Sequence, residues 1–271
     1  MVKFGAKRSF SLTKQPGFGF IALTCFFLLY APILILVAFS FNEGVNLAEW
    51  EGFSLRWYQS AWHNEQVQEA SIRSFVIAIS ASAIATTAAT MAALATTRVK
   101  KYRGQTTVFA LINQPLMVPE IVTAVALLIF FAVIKVKTGY TGLAYLIIAH
   151  SAFCIPFAYM PIRARLQGMN LTLETAAADL YAPPWKTFRH VTFPILAPGI
   201  LAGAMLAFVI SLDDVVITEF VKSSGQDTLP TYMLGQLRRV VTPEINAISS
   251  VFLALSVVIV TLFFFLTKWK K

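Results

Sequence analysis

Charged residues are scarce in this sequence: they make up 13% of the 271 residues, whereas hydrophobic residues make up 57%. Soluble domains carry about 25% charged residues, so the composition excludes that class and indicates a membrane protein. Only two cysteines are present, Cys25 and Cys154, and both lie in apolar segments, where we expect packing rather than a disulfide. The sequence also lacks a glycine-rich phosphate loop, so we expect no ATP hydrolysis by this chain.

Patterns of catalysis and metal binding are absent as well. The three histidines show no metal-ligand spacing with the cysteines or the acids, and no nucleophile, base and orienting group can be assembled. We therefore predict that the chain is not an enzyme, has no catalytic residue and binds no metal. His150 lies within an apolar run, and an isolated histidine there is more often a buried hydrogen-bonding residue than a ligand.

Long apolar runs are abundant instead, and a chain of this length accommodates about six transmembrane helices of roughly 20 residues each. Basic residues 1–17 precede the first run, at residues 18–41. That run exceeds the apolar core of a signal peptide, which is about 7–15 residues long, so we predict an uncleaved first transmembrane helix. Residues 42–73 are acidic and contain tryptophans, which is typical of an extramembrane, here periplasmic, segment. Residues 74–267 contain the other five spans, and residues 268–271 form a basic C-terminus.

The second span, Ser74–Thr97, is unusually rich in small residues, since 17 of its 24 residues are alanine, serine or threonine. Small side chains let helices approach closely, so we expect this span to lie inside the helix bundle. A merely weak hydrophobic helix is the alternative.

Basic residues are distributed unevenly between the spans. The N-terminus, residues 98–103, residues 163–192 and the C-terminus together hold 15 of the 22 lysines and arginines, but only two acids, Glu174 and Asp179. Basic segments of membrane proteins tend to face the cytoplasm. We therefore predict that these four segments, and hence both termini, are cytoplasmic.

Three acids lie at membrane depth: Glu120, Asp213 and Asp214. A carboxylate near the bilayer centre costs on the order of 3 kcal/mol, so all three are candidates for a functional role. Consecutive residues point about 100° apart on a helix, so we expect at most one of Asp213 and Asp214 to face a pore squarely. The other would cap a broken helix or hold a partner subunit. Purely structural roles are the alternative for all three acids.

The most distinctive polar stretch runs from Glu174 to Pro194, within the predicted cytoplasmic loop at residues 163–193. Its alanines and leucine favour a short helix, and two prolines then turn the chain into a second one. The stretch resembles the EAA loop of permease subunits in bacterial binding-protein-dependent ABC importers. In that family, Glu-Ala-Ala is followed by a glycine six residues after the glutamate.

Most positions of the stretch match that family in register, but two depart from it. Thr175 stands where the family has glutamate, and Tyr181 stands where it has glycine. Glu174, one residue earlier, would supply the missing acid. The glycine of the family serves a left-handed turn, which a tyrosine would adopt at a cost of about 1 kcal/mol. The resemblance implies that the loop couples to a cytoplasmic ATPase through these residues: Glu174, Thr175, Ala176, Ala177, Asp179, Leu180, Tyr181 and Pro184.

Four further runs extend the resemblance over nearly the whole chain: Trp50–Tyr58, Pro115–Glu120, Ser211–Val216 and Pro243–Ala247. They look like the spermidine/putrescine permeases, in particular the second permease of the pair. The resemblance implies an all-α polytopic membrane protein with the type I ABC importer permease fold, in the bacterial inner membrane. It also implies three kinds of partner: a homologous permease in a heterodimer, two copies of an ATPase that binds ATP and Mg²⁺, and a periplasmic polyamine-binding protein. No cofactor is expected in this chain itself.

The function implied by the resemblance is the import of polyamines by alternating access. Desolvating a protonated amine requires compensating negative charge, so Glu120, Asp213 and Asp214 would line the substrate path. One alternative is an ABC importer of another cationic or amine-containing small molecule. A secondary carrier that works without an ATPase is the other, but it leaves the EAA-like loop without a purpose.

Overall fold

The computed structural model describes residues 18–46, 49–99, 102–239 and 242–268, so residues 1–17 and nearly all of residues 268–271, the predicted basic termini, lie outside it. The described residues form twelve α-helices, with a π-helical segment at Phe188–Thr192 between the eighth and the ninth. The helices are α1 (Phe18–Phe39), α2 (Arg56–His63), α3 (Glu65–Thr97), α4 (Gln105–Met117), α5 (Glu120–Thr138), α6 (Ala144–Gln167), α7 (Thr172–Asp179), α8 (Pro184–Thr187), α9 (Phe193–Asp213), α10 (Val216–Val221), α11 (Leu229–Leu237) and α12 (Pro243–Lys268).

Six helical stretches among these residues are long and apolar enough to cross a membrane, which confirms the predicted number of spans. They are Phe18–Phe39, Glu65–Thr97, Glu120–Thr138, Ala144–Gln167, Pro184–Asp213 and Pro243–Phe265. The fifth stretch includes α8, the π-helical segment and α9, so it begins before Pro194 and Pro198, near which the sequence predicts the start of the fifth span. The molecule is thus an all-helical, multi-pass membrane protein.

The sequence predicts a third span from about Thr106 to Ile134, and the structure divides this stretch into two helices. α4 ends at Met117, and Val118 is extended, with φ −97° and ψ 138°. Pro119 follows and immediately precedes α5. A residue before proline is disfavoured from the helical conformation, which accounts for the interruption at Val118. Glu120 therefore becomes the first residue of a new helix rather than an interior residue of a long one.

The core lies where α3, α6 and α9 pack against one another. The inner face of α3 is lined by alanines that are fully buried: Ala78, Ala81, Ala85, Ala89 and Ala93. Their spacing of three or four residues places them along one side of the helix. The small-residue span is therefore inside the bundle, as predicted.

Two glycines of α9 allow it to lie close to α6. A Cβ atom at Gly203 would lie 2.7 Å from the backbone oxygen of Ala158, and one at Gly199 would lie 2.8 Å from Cβ of Arg165. Both distances are too short for a real contact, so the crossing requires glycine at these positions. By contrast, α1 has no buried residue and contacts α12 at the periphery.

Candidate functional site

The two adjacent aspartates mark a break in the fifth span. α9 ends at Asp213, Asp214 is extended, and the short helix α10 begins at Val216. The Asp214 carboxylate accepts hydrogen bonds from the backbone N–H groups of Ile217 (3.3 Å) and Thr218 (2.9 Å), and from the Thr218 hydroxyl (3.1 Å). Asp214 therefore caps the first turn of α10, which was one of the roles foreseen for the aspartate that does not face a pore.

His150 joins the two sides of this break. It lies on α6 and is buried, with Nδ1 2.8 Å from Oγ of Ser211 on α9 and Nε2 3.0 Å from Oγ1 of Thr218 on α10. Its Nε2 also lies 3.6 Å from Oδ1 of Asp214. The expectation of a buried hydrogen-bonding histidine is confirmed, and its partners show that it fixes α9 and α10 relative to each other.

Glu120 meets the same break from a different helix. Its carboxyl group is half-buried at the first position of α5, a helix that packs against α10, and it lies near the carboxyl group of Asp214. The N-terminus of α5 stabilises negative charge at this point through its unpaired N–H groups. We call this group of Glu120, His150, Asp213, Asp214 and Thr218 the acid cluster.

Asp213 differs from the other acids of the cluster. It is exposed on the surface of the chain, and no hydrogen bond or ion pair joins it to another described residue. The single-residue separation from Asp214 turns its side chain to another side of the helix end. Of the three acids, Asp213 is the one presented to whatever covers this surface.

A second site is the loop formed by α7, α8 and the turn between them, which we call the α7–α8 loop (residues 172–187). The chain passes through Tyr181 with φ 55°, a left-handed conformation that no other non-glycine residue among those described adopts. The N–H of Ala182 donates to the oxygen of Ala177 (3.0 Å), and that of Tyr181 donates to the oxygen of Ala178 (2.9 Å). These bonds form the Schellman motif that ends many helices, usually with glycine at the left-handed position. The left-handed turn predicted at Tyr181 is confirmed.

Glu174 fastens the α7–α8 loop to the core. Its Oε1 accepts a hydrogen bond from the hydroxyl of the buried Thr192 (2.8 Å), and its Oε2 lies 3.2 Å from Nε of Arg98 at the end of α3. Thr175 is exposed instead, with its hydroxyl bonded to carbonyl oxygens of its own helix. Glu174, which we expect to supply the missing acid of the motif, directs its carboxylate toward the core, to Arg98 and Thr192.

The outer surface of the α7–α8 loop is apolar. Leu180 is 82% exposed, Tyr181 95% and Trp185 67%. Other residues predicted to belong to this site are exposed as well, namely Ala176, Asp179 and Pro184, whereas Ala177 is half-buried. Exposed large apolar side chains that lie together mark an interaction surface. We call Leu180, Tyr181 and Trp185 the apolar patch.

The helix α9 connects the two sites. Thr192, the partner of Glu174, precedes it, and Asp213 ends it. A helix of 21 residues is about 30 Å long, so the sites lie near opposite ends of one rigid element. The sequence alone did not reveal the partners of His150 and Glu174, because those partners are distant from them along the chain.

An all-helical, multi-pass protein with such a loop and such a broken fifth span has the architecture of a transport permease. The chain belongs to the family of binding-protein-dependent transport system inner membrane components, whose model matches residues 85–269.

Several characterised relatives are similar over most of their length. The putrescine transport system permease protein PotI of Escherichia coli strain K12 is 35% identical over 245 residues, which cover 89% of this chain and 87% of the relative. The spermidine/putrescine transport system permease protein PotC of Haemophilus influenzae is 35% identical over 240 residues, which cover 89% of this chain and 92% of the relative.

Two solved structures share the fold. One is a bacterial ABC transporter involved in the import of the acidic polysaccharide alginate, with a TM-score of 0.75, 15% identity and coverage of 92% of this chain and 93% of that chain. The other is the bacterial alginate transporter in complex with an alginate pentasaccharide-bound periplasmic protein, with a TM-score of 0.69, 15% identity and coverage of 91% and 90%. At this identity the likeness establishes the ABC importer permease fold.

Proposed function

We propose that this chain is one of the two transmembrane subunits of an ATP-driven bacterial importer of polyamines, of the putrescine and spermidine class. The observation that carries the proposal is the 35% identity to putrescine and spermidine/putrescine permeases over 89% of the chain. The acid cluster supports a cationic substrate, because protonated amines that leave water need carboxylates and other acceptors. Import of another amine-containing small molecule is the second candidate, since the same chemistry would serve it.

Asp213 is the residue that we assign to the substrate path. It is exposed, it has no hydrogen-bond or ion-pair partner among the described residues, and it lies beside Asp214, whose carboxylate is already bonded to Ile217 and Thr218. Glu120 is half-buried and reaches the same place, so it would contribute when the helices move apart. Asp214 would act indirectly, by holding α10 in position.

The α7–α8 loop is the proposed contact with the ATPase. In this arrangement the loop faces the cytoplasm of the bacterium, together with both termini, and the apolar patch contacts one of two copies of an ATPase subunit that binds ATP and Mg²⁺. A homologous permease forms the other half of a heterodimer, and a periplasmic binding protein delivers the polyamine. Movement of the loop passes through Glu174 to Arg98 and Thr192, and so to α3 and α9. The core then alternates between inward-facing and outward-facing states.

Uptake by the complete transporter in proteoliposomes tests this function. Labelled putrescine and spermidine should enter only with ATP and the binding protein, and unlabelled amines should compete while alginate should not. Asp213→Asn should lower uptake at least tenfold, or about 1.4 kcal/mol. Glu65→Gln, which removes an exposed carboxylate at the start of α3, is the matched control and should leave uptake unchanged. Uptake that persists without ATP would indicate a secondary carrier instead.

A further inference from the structure

A polar cavity of about 410 Å³ lies where α3 ends, α4 begins and α6 ends. Two arginines from different helix ends line it, Arg98 and Arg163, and they are accompanied by the polar side chains of Thr97, Gln105 and Gln167. None of the residues of the acid cluster or the apolar patch lines this cavity. It is therefore distinct from the acid cluster and the apolar patch, although Arg98 in its lining also pairs with Glu174 of the α7–α8 loop.

Buried nitrogen atoms of these two guanidinium groups have no hydrogen-bond partner among the described residues. Nη2 of Arg98 and Nε of Arg163 are both buried and make no hydrogen bond with the described residues. Glu174 lies 3.2 Å from Nε of Arg98, without the alignment of a hydrogen bond. Among the described residues, no other carboxylate forms an ion pair with Arg98 or Arg163. Among the described residues, the two guanidinium cations are therefore balanced by a single carboxylate, that of Glu174. Leaving a charged donor unpaired when it is buried is unfavourable, so an additional anion would stabilise the cavity.

The surroundings favour an oxyanion at the membrane surface. Gln105 is the first residue of α4, so the positive end of a 13-residue helix also adjoins the cavity. The guanidinium of Arg163 lies 4.3 Å from the ring of Phe109, so its charged group is held over an aromatic face near the helix ends. Basic pockets between transmembrane helices at the cytoplasmic surface suit the head groups of anionic lipids.

We propose that this cavity binds a phosphate group, and that its source is the head group of an anionic phospholipid of the surrounding leaflet. Arginine suits this ligand because its planar group presents several N–H donors to phosphate oxygens. A bound phosphate would share Arg98 with Glu174, which fastens the α7–α8 loop to the core. The lipid composition of the membrane would then affect how the loop is held.

Native mass spectrometry of the complete transporter tests the proposal. The complex is released from detergent after incubation with phosphatidylglycerol or, separately, with phosphatidylcholine. Phosphatidylglycerol should remain bound, and Arg163→Gln should lower its retention about tenfold through the loss of a charge-assisted hydrogen bond. Arg103→Gln is the matched control, because it removes the same charge from an exposed position outside the cavity. This measurement does not depend on which substrate is transported.

Several outcomes would overturn the proposal. If the wild-type, Arg163→Gln and Arg103→Gln complexes retain phosphatidylglycerol equally, the cavity is not its binding site. If the wild-type complex retains phosphatidylcholine as well as it retains phosphatidylglycerol, the site does not recognise negative charge, and this result holds even if the variants fail to assemble. Retention only after removal of the ATPase would indicate that an acidic side chain of that subunit fills the cavity. In a third incubation, retention of inorganic phosphate but not of phosphatidylglycerol, with the same dependence on Arg163, would support the phosphate site and assign it to a free anion.

Discussion

The acid cluster and the α7–α8 loop differ in whether their side chains are buried and bonded within this chain. Asp214, His150 and Thr218 are buried and bonded to one another, so the geometry of the cluster is fixed within this chain. The apolar patch of the loop remains largely exposed among the described residues, with Leu180 at 82% and Tyr181 at 95%. The first site is thus largely complete within this chain, whereas the second presents an exposed apolar surface.

Each site also contains one acid whose exposure differs from that of the rest of its site. Asp213 is the exposed acid beside a buried cluster, and Glu174 is the anchored acid within an exposed loop. In the proposed function, these two residues connect each site to the rest of the transport cycle. Asp213 is available to a substrate, and Glu174 links the loop to the core.

Asp214→Ala should have the largest effect. It leaves the N–H groups of Ile217 and Thr218 unpaired in a buried place, so we expect a loss of about 3 kcal/mol of stability from the lost cap and the unsatisfied donors. Thermal unfolding of the purified complex measures it. Asp213→Ala should change stability by no more than about 0.5 kcal/mol, because that side chain is exposed. If the two substitutions lower the stability equally, Asp214 is not the aspartate that caps α10, and the two residues do not have the separate roles proposed here.

Trp185→Ala should weaken binding of the ATPase about 30-fold, or about 2 kcal/mol, because tryptophans at interfaces contribute strongly to affinity. The stability of the permease itself should not change, since Trp185 is 67% exposed. Binding is measured by titrating detergent-solubilised permease pair with the ATPase. Trp62→Ala is the control, because Trp62 is 76% exposed but lies on α2, outside the α7–α8 loop. If both substitutions weaken binding alike, the apolar patch is not the contact surface.

The sequence predicted those features that depend on neighbouring residues. Tyr181 was expected to be left-handed because the family that the loop resembles has glycine at this position. One aspartate of the pair was expected to cap a broken helix or to hold a partner subunit, because adjacent residues on a helix diverge by about 100°. Features that join distant positions could not be predicted. Ser211 and Thr218 lie 61 and 68 residues from His150, and no local pattern indicates that α6 packs there. The inward direction of Glu174 likewise depends on Arg98, which belongs to α3.

Glu174→Gln should separate coupling from docking. The ion pair with Arg98 is partly buried, with about one fifth of each side chain exposed, so its loss should lower uptake about tenfold while the ATPase still binds. Polyamine uptake measures coupling and pull-down of the ATPase measures docking, and both are measured on the same preparation. Glu69→Gln is the control, because Glu69 pairs with Arg73 but is 73% exposed, and exposed pairs contribute little. Release of the ATPase by Glu174→Gln would show that this residue acts at the docking surface after all.

Tyr181→Gly should have the smallest effect and tests the strain in the α7–α8 loop directly. Glycine adopts the left-handed conformation without the cost of about 1 kcal/mol that other residues incur, although it also gains freedom in the unfolded chain. Tyr181→Ala removes the same side chain but keeps the cost, so the glycine variant should unfold at a higher temperature than the alanine variant. Both variants should weaken ATPase binding, because both remove the most exposed member of the apolar patch. A glycine variant less stable than the alanine variant would mean that the turn at residue 181 is not left-handed in the assembled transporter, and that docking changes the shape of the loop.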